Sequence, residues 1–158
     1  MEDLELSQEA LFLGENEACN PKFLKTFQES QPIHTVVFDL GGVFFTNGTK
    51  LAVPKFIERY GIDDHEALHR FFGNETGTEG NLVRLGLMSM DEYERRFISE
   101  FNLSSDEMGN IRELWFESYV PNPSMMDLVK NLSCNYELII FSRNILERIQ
   151  YLDTKYHL

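Results

Sequence analysis

Residues 33–45 read Ile-His-Thr-Val-Val-Phe-Asp-Leu-Gly-Gly-Val-Phe-Phe, an apolar, β-branched run that ends on the carboxylate of Asp39 and is broken by Gly41 and Gly42. A run of that kind with that break predicts a buried central strand of an α/β sheet over 33–39 and a turn over 40–49. Open α/β sheets bind ligands beyond the carboxyl ends of their strands, so Asp39 is the first candidate site residue. Val43, Phe44 and Phe45 predict the start of a short hairpin inside the turn.

On the C-terminal side, residues 50–121 carry helical periods. Val53, Phe56, Ile57 and Tyr60 fall at i, i+3, i+4 and i+7, and Gly61 stops that helix. Asp63 and Asp64 start a second helix that buries Leu68, Phe71 and Phe72. Residues 73–81 are glycine-rich and polar, a predicted loop. Ser89 with Glu92, and Ser104 with Glu107, make capping boxes. Their helices present Tyr93, Phe97 and Phe101, then Ile111, Leu114, Trp115 and Tyr119. After Pro121 and Pro123, one more helix presents Met125, Leu128, Val129 and Leu132. Residues 136–141 predict a second buried strand that ends on Ser142-Arg143-Asn144. A last helix follows, with Ile145, Ile149, Leu152 and Tyr156 on one face.

Composition bounds the function classes. The chain has 158 residues, 42% apolar and 13% aromatic, enough for a packed core. Its net charge of −12 argues against nonspecific nucleic-acid or anionic-membrane binding. An anionic substrate needs a cation or a local basic group to offset that field. Cys19 and Cys134 lie far apart, which predicts a reducing, cytoplasmic setting without a disulfide framework. The start of the chain has neither a basic n-region nor a long apolar run, so no signal peptide or membrane span is expected. Residues 1–32 form an acidic extension, expected to be partly ordered, with a short helix over 21–29. His65 and His69 stand at i, i+4, a spacing that can bind metal; without a third ligand they are read as a surface helix face.

The two strands, each followed by a polar end, predict one shared site. A crossover places them parallel, with Asp39 and Ser142 at the same edge of the sheet. Ser142, the Arg143 backbone N–H and the N-terminus of the helix near Asn144 would supply donors to an anion. Asp39 could then attack a phosphorus atom held there.

At this point the residues resemble a known family. Val-Val-Phe-Asp-Leu-Gly-Gly-Val is similar to the first motif of the haloacid dehalogenase-like (HAD) hydrolases, and Ile-Ile-Phe-Ser-Arg-Asn to their second. The helical segment between them stands where that superfamily carries a cap. The resemblance covers residues 33–158 and is strongest to the phosphatase-like branch. It implies an α/β fold: a partial Rossmann-like core over 33–49 and 122–158, with an inserted helical cap over 50–121. It also implies a Mg²⁺-dependent phosphatase that acts on a small phosphate ester through an aspartyl-phosphate. Asp39 matches the nucleophile and metal ligand, and the Gly41 backbone carbonyl matches a second metal ligand. Ser142 matches the hydroxyl that binds the phosphoryl group, with Asn144 beside it. Bound Mg²⁺ would offset the acidity of the chain.

Two departures accompany the resemblance. Gly41 stands where the family usually has a second Asp as acid and base, a role that typically contributes about 10²–10⁴-fold. Some members of this branch also lack that Asp. Counterparts of the third motif, a Lys, and of the fourth, an acidic pair, are not found. Lys155 is too near Ser142 to be that Lys. The expectation is an N-terminal part of such an enzyme, inactive by itself. Two alternatives stand beside it. One is a non-catalytic product of the same fold that binds a protein partner through the cap or the N-terminal extension. The other is a haloacid dehalogenase using the same Asp.

Overall fold

The structure is a computed structural model that describes residues 33–157. The acidic extension over 1–32, with its expected helix at 21–29, lies outside the described residues. In chain order the elements open with β1 (Thr35–Phe38), α1 (Gly48–Tyr60), α2 (His65–Phe71) and α3 (Glu79–Arg84). Next come α4 (Met90–Glu100), a 3₁₀ turn (Ser105–Glu107) and α5 (Asn110–Glu117). The last three are α6 (Pro123–Ser133), β2 (Glu137–Ile140) and α7 (Leu146–Tyr156). The described chain is therefore mostly helical, with one small sheet. No helix among the described residues is long and apolar enough to cross a membrane.

The chain divides into two compact units. One holds the described residues up to Phe44 together with Pro121–Phe141, and so contains β1, α6 and β2. The other holds Phe45–Val120 and residues 142–157. The last helix, counted with the strands from sequence, thus groups with the helical unit. There it packs Leu152 and the Phe116–Tyr151 ring pair, with centroids 5.9 Å apart.

In the sheet unit β1 and β2 pair in parallel, as expected, with Thr35 opposite Glu137 and Phe38 opposite Ile140. Backbone bonds Glu137 N–H to His34 O (2.9 Å) and Phe141 N–H to Phe38 O (2.8 Å) close the ladder at both ends. The strands differ from expectation in burial. Val37 is 58% exposed, Ile139 43% and Phe141 79%. Parallel sheets are ordinarily covered on both faces. Of the described helices only α6 shares this unit, and its apolar face is half-buried. Two parallel strands make the chain α/β in a plain sense, and the described residues do not by themselves form a Rossmann-like core. At the expected hairpin, residues 42–44 form a turn between single bridge positions at Gly41 and Phe45. The backbone there also bonds to the segment at 120–122: Asn122 N–H donates to Phe44 O within the sheet unit, and Thr46 N–H to Val120 O within the helical unit, both at 2.9 Å.

The helical unit follows its sequence signals closely. Asn47 accepts from Lys50 N–H and starts α1, and Gly61, at φ +62°, ends it by donating to Ile57 O. Ser89 starts α4 by accepting from Glu92 N–H. The inward faces meet in an aromatic core with Phe56, Tyr93, Phe97 and Trp115 fully buried. Tyr93 stacks on Trp115 at 5.2 Å, and Phe72 meets the same indole edge-on at 4.8 Å. Each such pair adds about 0.5–1.5 kcal/mol beyond its area burial.

Two local expectations fail for identifiable reasons. The predicted 73–81 loop yields to α3, because Thr78 Oγ1 accepts from Asn81 N–H as an N-cap. The Ser104–Glu107 box opens only the 3₁₀ turn. Glu107 does not reach back to its own turn: it accepts from Tyr60 Oη (2.8 Å) and Arg59 (3.3 Å) of α1. Helix α5 starts later, after Gly109 at φ +87°.

A buried ion pair ties α4 to the start of α5. Glu94 is fully buried. It accepts from Gly109 N–H (3.1 Å), Arg112 N–H (2.9 Å) and Arg112 Nε (2.9 Å), and pairs with Arg112 Nη2. Those hydrogen bonds hold the Arg112 guanidinium charged well above its ordinary range. The carboxylate also faces the positive end of α5. Arg112 keeps Asp91 and some solvent, but the Gly109 and Arg112 N–H groups lose their acceptor, so Glu94→Ala should lower stability by about 1–3 kcal/mol. Urea denaturation followed by the emission of Trp115, the single tryptophan, measures this. A loss below about 1 kcal/mol would show that water replaces the carboxylate.

Candidate functional site

Asp39 is the first residue beyond β1, where the parallel ladder ends at Phe38 opposite Ile140. Its side chain is exposed, and its Oδ1 accepts from Leu40 N–H at 2.7 Å. Leu40 is fully buried and anchors the turn, so the bond to its N–H orients the carboxylate at the strand end. Gly41 and Gly42 continue the turn, exposed, with Gly42 at φ +84°. Asp39 and Gly41 therefore stand two residues apart in one exposed turn of the sheet unit.

Those two are the donors named from sequence for a metal. One carboxylate and one backbone carbonyl suit Mg²⁺, which keeps several waters and takes one or two carboxylates. Among the described residues no group of three or more His, Cys, Asp or Glu comes together to hold a metal. The donor set that the resemblance implies is thus present only in part. His65 and His69 are exposed on α2, the surface face expected of them.

Ser142, Arg143 and Asn144 belong to the helical unit. Residues 141–145 have no regular structure, and α7 starts at Leu146 with Ile145 as N-cap, later than the spacing predicts. Asn144 explains the delay. Its Oδ1 accepts from Ile145 N–H (3.0 Å) and from Arg148 Nε (2.5 Å), so the side chain is committed to its own chain. Arg143 is exposed, and its side chain donates to Asn81 Oδ1 of α3 at 3.3 Å.

The structure also assembles residues that the sequence reading missed. Arg148 of α7 is 1% exposed and Arg84 of α3 is 9% exposed. Their guanidinium carbons lie over the same Trp115 indole, at 5.0 Å and 5.3 Å, and Arg148 lies 4.4 Å from the Tyr119 ring centre. Arg84 donates to Phe72 O (3.2 Å), Gly73 O (3.0 Å) and Thr49 Oγ1 (3.3 Å), closing the C-terminal end of α2. Gly80 makes room for this, since a Cβ there would stand 2.8 Å from Arg84 Nη1 and 2.6 Å from Gly73 O. Thr49 Oγ1 also accepts from the Trp115 indole N–H (3.1 Å) and shares a hydrogen bond with Tyr119 Oη (3.1 Å).

Burial pushes the Arg148 guanidinium down to about 10; the nearby Tyr119 hydroxyl opposes the shift and Arg84 adds to it. Burial also lowers Arg84 and raises Tyr93. The sequence signal was available. Arg148 sits at i+3 of the stripe Ile145, Ile149, Leu152, a charge on an otherwise apolar face.

No family model and no solved structure matches the chain. It is similar to an uncharacterized protein of Dictyostelium discoideum, 30% identical over 126 residues, which cover 77% of this chain and 53% of that protein. The chain thus spans about half the length of the relative it matches.

Asp39 is exposed, and its one described hydrogen bond is one an amide oxygen can also accept. Asp39→Asn should therefore leave stability within about 0.5 kcal/mol of the parent in urea denaturation. A larger loss would make Asp39 a structural turn residue.

Proposed function

We propose that the chain is part of a HAD-like hydrolase of the phosphatase type, with Asp39 as nucleophile toward a small phosphate ester. The observation that carries this is the parallel pairing of β1 and β2, with an exposed, oriented carboxylate immediately beyond the end of β1. In the proposed reaction an Asp39 oxygen attacks phosphorus and the ester P–O bond breaks. The leaving alcohol takes a proton from water, since Gly41 offers none. A second water then hydrolyses the aspartyl-phosphate. Mg²⁺ belongs to the proposal as a ligand of Asp39 and the Gly41 carbonyl, where it would neutralise charge between carboxylate and phosphate. Its remaining protein donors would come from outside the described residues. Ser142 and Asn144 enter on the family resemblance, Ser142 as the phosphoryl-binding hydroxyl.

The 158-residue chain is expected to hydrolyse p-nitrophenyl phosphate at background rate, with or without Mg²⁺. Mg²⁺-dependent turnover that disappears in Asp39→Asn would overturn that expectation while supporting the nucleophile. The family reading is tested on the transcript beyond the Leu158 codon. A frame encoding a Lys element and an acidic pair supports it. The longer product should then show Mg²⁺-dependent hydrolysis that Asp39→Asn abolishes. A longer product indifferent to Asp39→Asn would sink it, and an authentic stop at that codon would sink the fragment explanation.

A further inference from the structure

We propose that the helical unit carries a binding site for a small oxyanion, a phosphate or carboxylate group, at the cluster of Arg84, Arg143 and Arg148. The first ground is the pattern of ion pairing. Arg59, Arg70, Arg95, Arg96 and Arg112 each reach a carboxylate within 4.0 Å. Arg84, Arg143 and Arg148 reach none among the described residues. The three without a carboxylate are neighbours. Arg84 and Arg148 share the Trp115 indole, and Arg143 is held by Asn81, one turn before Arg84 on α3.

The second ground is unmet hydrogen-bonding capacity around the same indole. Arg148 Nη1 and the Tyr93 hydroxyl are buried without a hydrogen-bond partner. Both residues pack on Trp115, Tyr93 by stacking at 5.2 Å and Arg148 through its guanidinium. Buried polar groups are ordinarily satisfied, and a desolvated cation without a counter-charge is strongly unfavourable. An oxyanion would supply both missing needs, accepting from Arg148 Nη1 and Tyr93 Oη while neutralising guanidinium groups that repel one another. Its field would be little screened, because the walls are aromatic. Arg143 is the exposed member, which suits it to meet an anion arriving from solvent. The bland reading is that Arg84 merely closes the end of α2. That accounts for Arg84 but leaves Arg148 Nη1 and Tyr93 unmet.

The test is thermal denaturation of the full 158-residue chain in phosphate-free buffer at constant ionic strength. Inorganic phosphate and malonate are titrated separately, with chloride as the control. A ligand of the folded state raises Tm in proportion to its occupancy. The expected result is a Tm that rises with phosphate or malonate and not with chloride, together with a change in Trp115 emission. Arg143→Gln should weaken that response by about tenfold, as expected for loss of one charge-assisted donor. Arg148→Met, where it folds, should lose the response. If Arg148→Met does not fold, Arg143→Gln decides alone. A response to phosphate identifies a phosphate site, and one confined to malonate identifies a carboxylate site. No response to either, or an unchanged response in Arg143→Gln, overturns the proposal.

Discussion

The helical unit depends on the buried indole of Trp115. It stacks on Tyr93, meets Phe72 edge-on, donates its N–H to Thr49 and underlies the guanidinium groups of Arg84 and Arg148. One side chain thus joins α1, α2, α3, α4, α5 and α7. An indole can do this because it offers a broad apolar face, an electron-rich surface for cations and a single donor at its edge. Thr49 completes the arrangement by accepting from both the indole and Arg84.

Three charged side chains are buried in the helical unit. Glu94 occupies i+4 of the stripe Met90, Tyr93, Phe97, and Arg148 occupies i+3 of the last helix's stripe. Arg84 is the third, buried on the short α3. The outcomes differ. Glu94 is fully satisfied by Arg112 and two backbone N–H groups, so it acts as a clasp between α4 and α5. Arg84 is bonded to carbonyls but has no counter-charge among the described residues. Arg148 has neither a counter-charge nor a partner for its Nη1 among the described residues. The same low dielectric that strengthens the satisfied Glu94 network makes the unmet Arg148 group costly.

The sheet unit has the opposite character. Its backbone pairing is regular, yet Val37, Ile139 and Phe141 stay exposed. Ladder hydrogen bonds require only a neighbouring strand, whereas burial of both faces requires layers packed above and below.

Much was legible in the residue order. Periodic apolar positions located α1, α4, α5, α6 and α7, and their small polar and glycine caps set most ends, because helix formation and capping are local. The strand at Thr35–Phe38 and Asp39 beyond it were legible for the same reason. The sequence did not reveal that Glu107 would serve α1 instead of its own turn, or that the strands would remain exposed. Nor did it reveal that residues 142–157 would join the helices. Least visible was the gathering of Arg84, Arg143 and Arg148. Arg84 lies far from the other two in the chain, and the three meet only when α3, α5 and α7 share one indole. Local backbone preferences were determined by the sequence read by itself. Which charges found partners, and which were left without one, was decided by tertiary packing, because pairing depends on distances that only the folded chain sets.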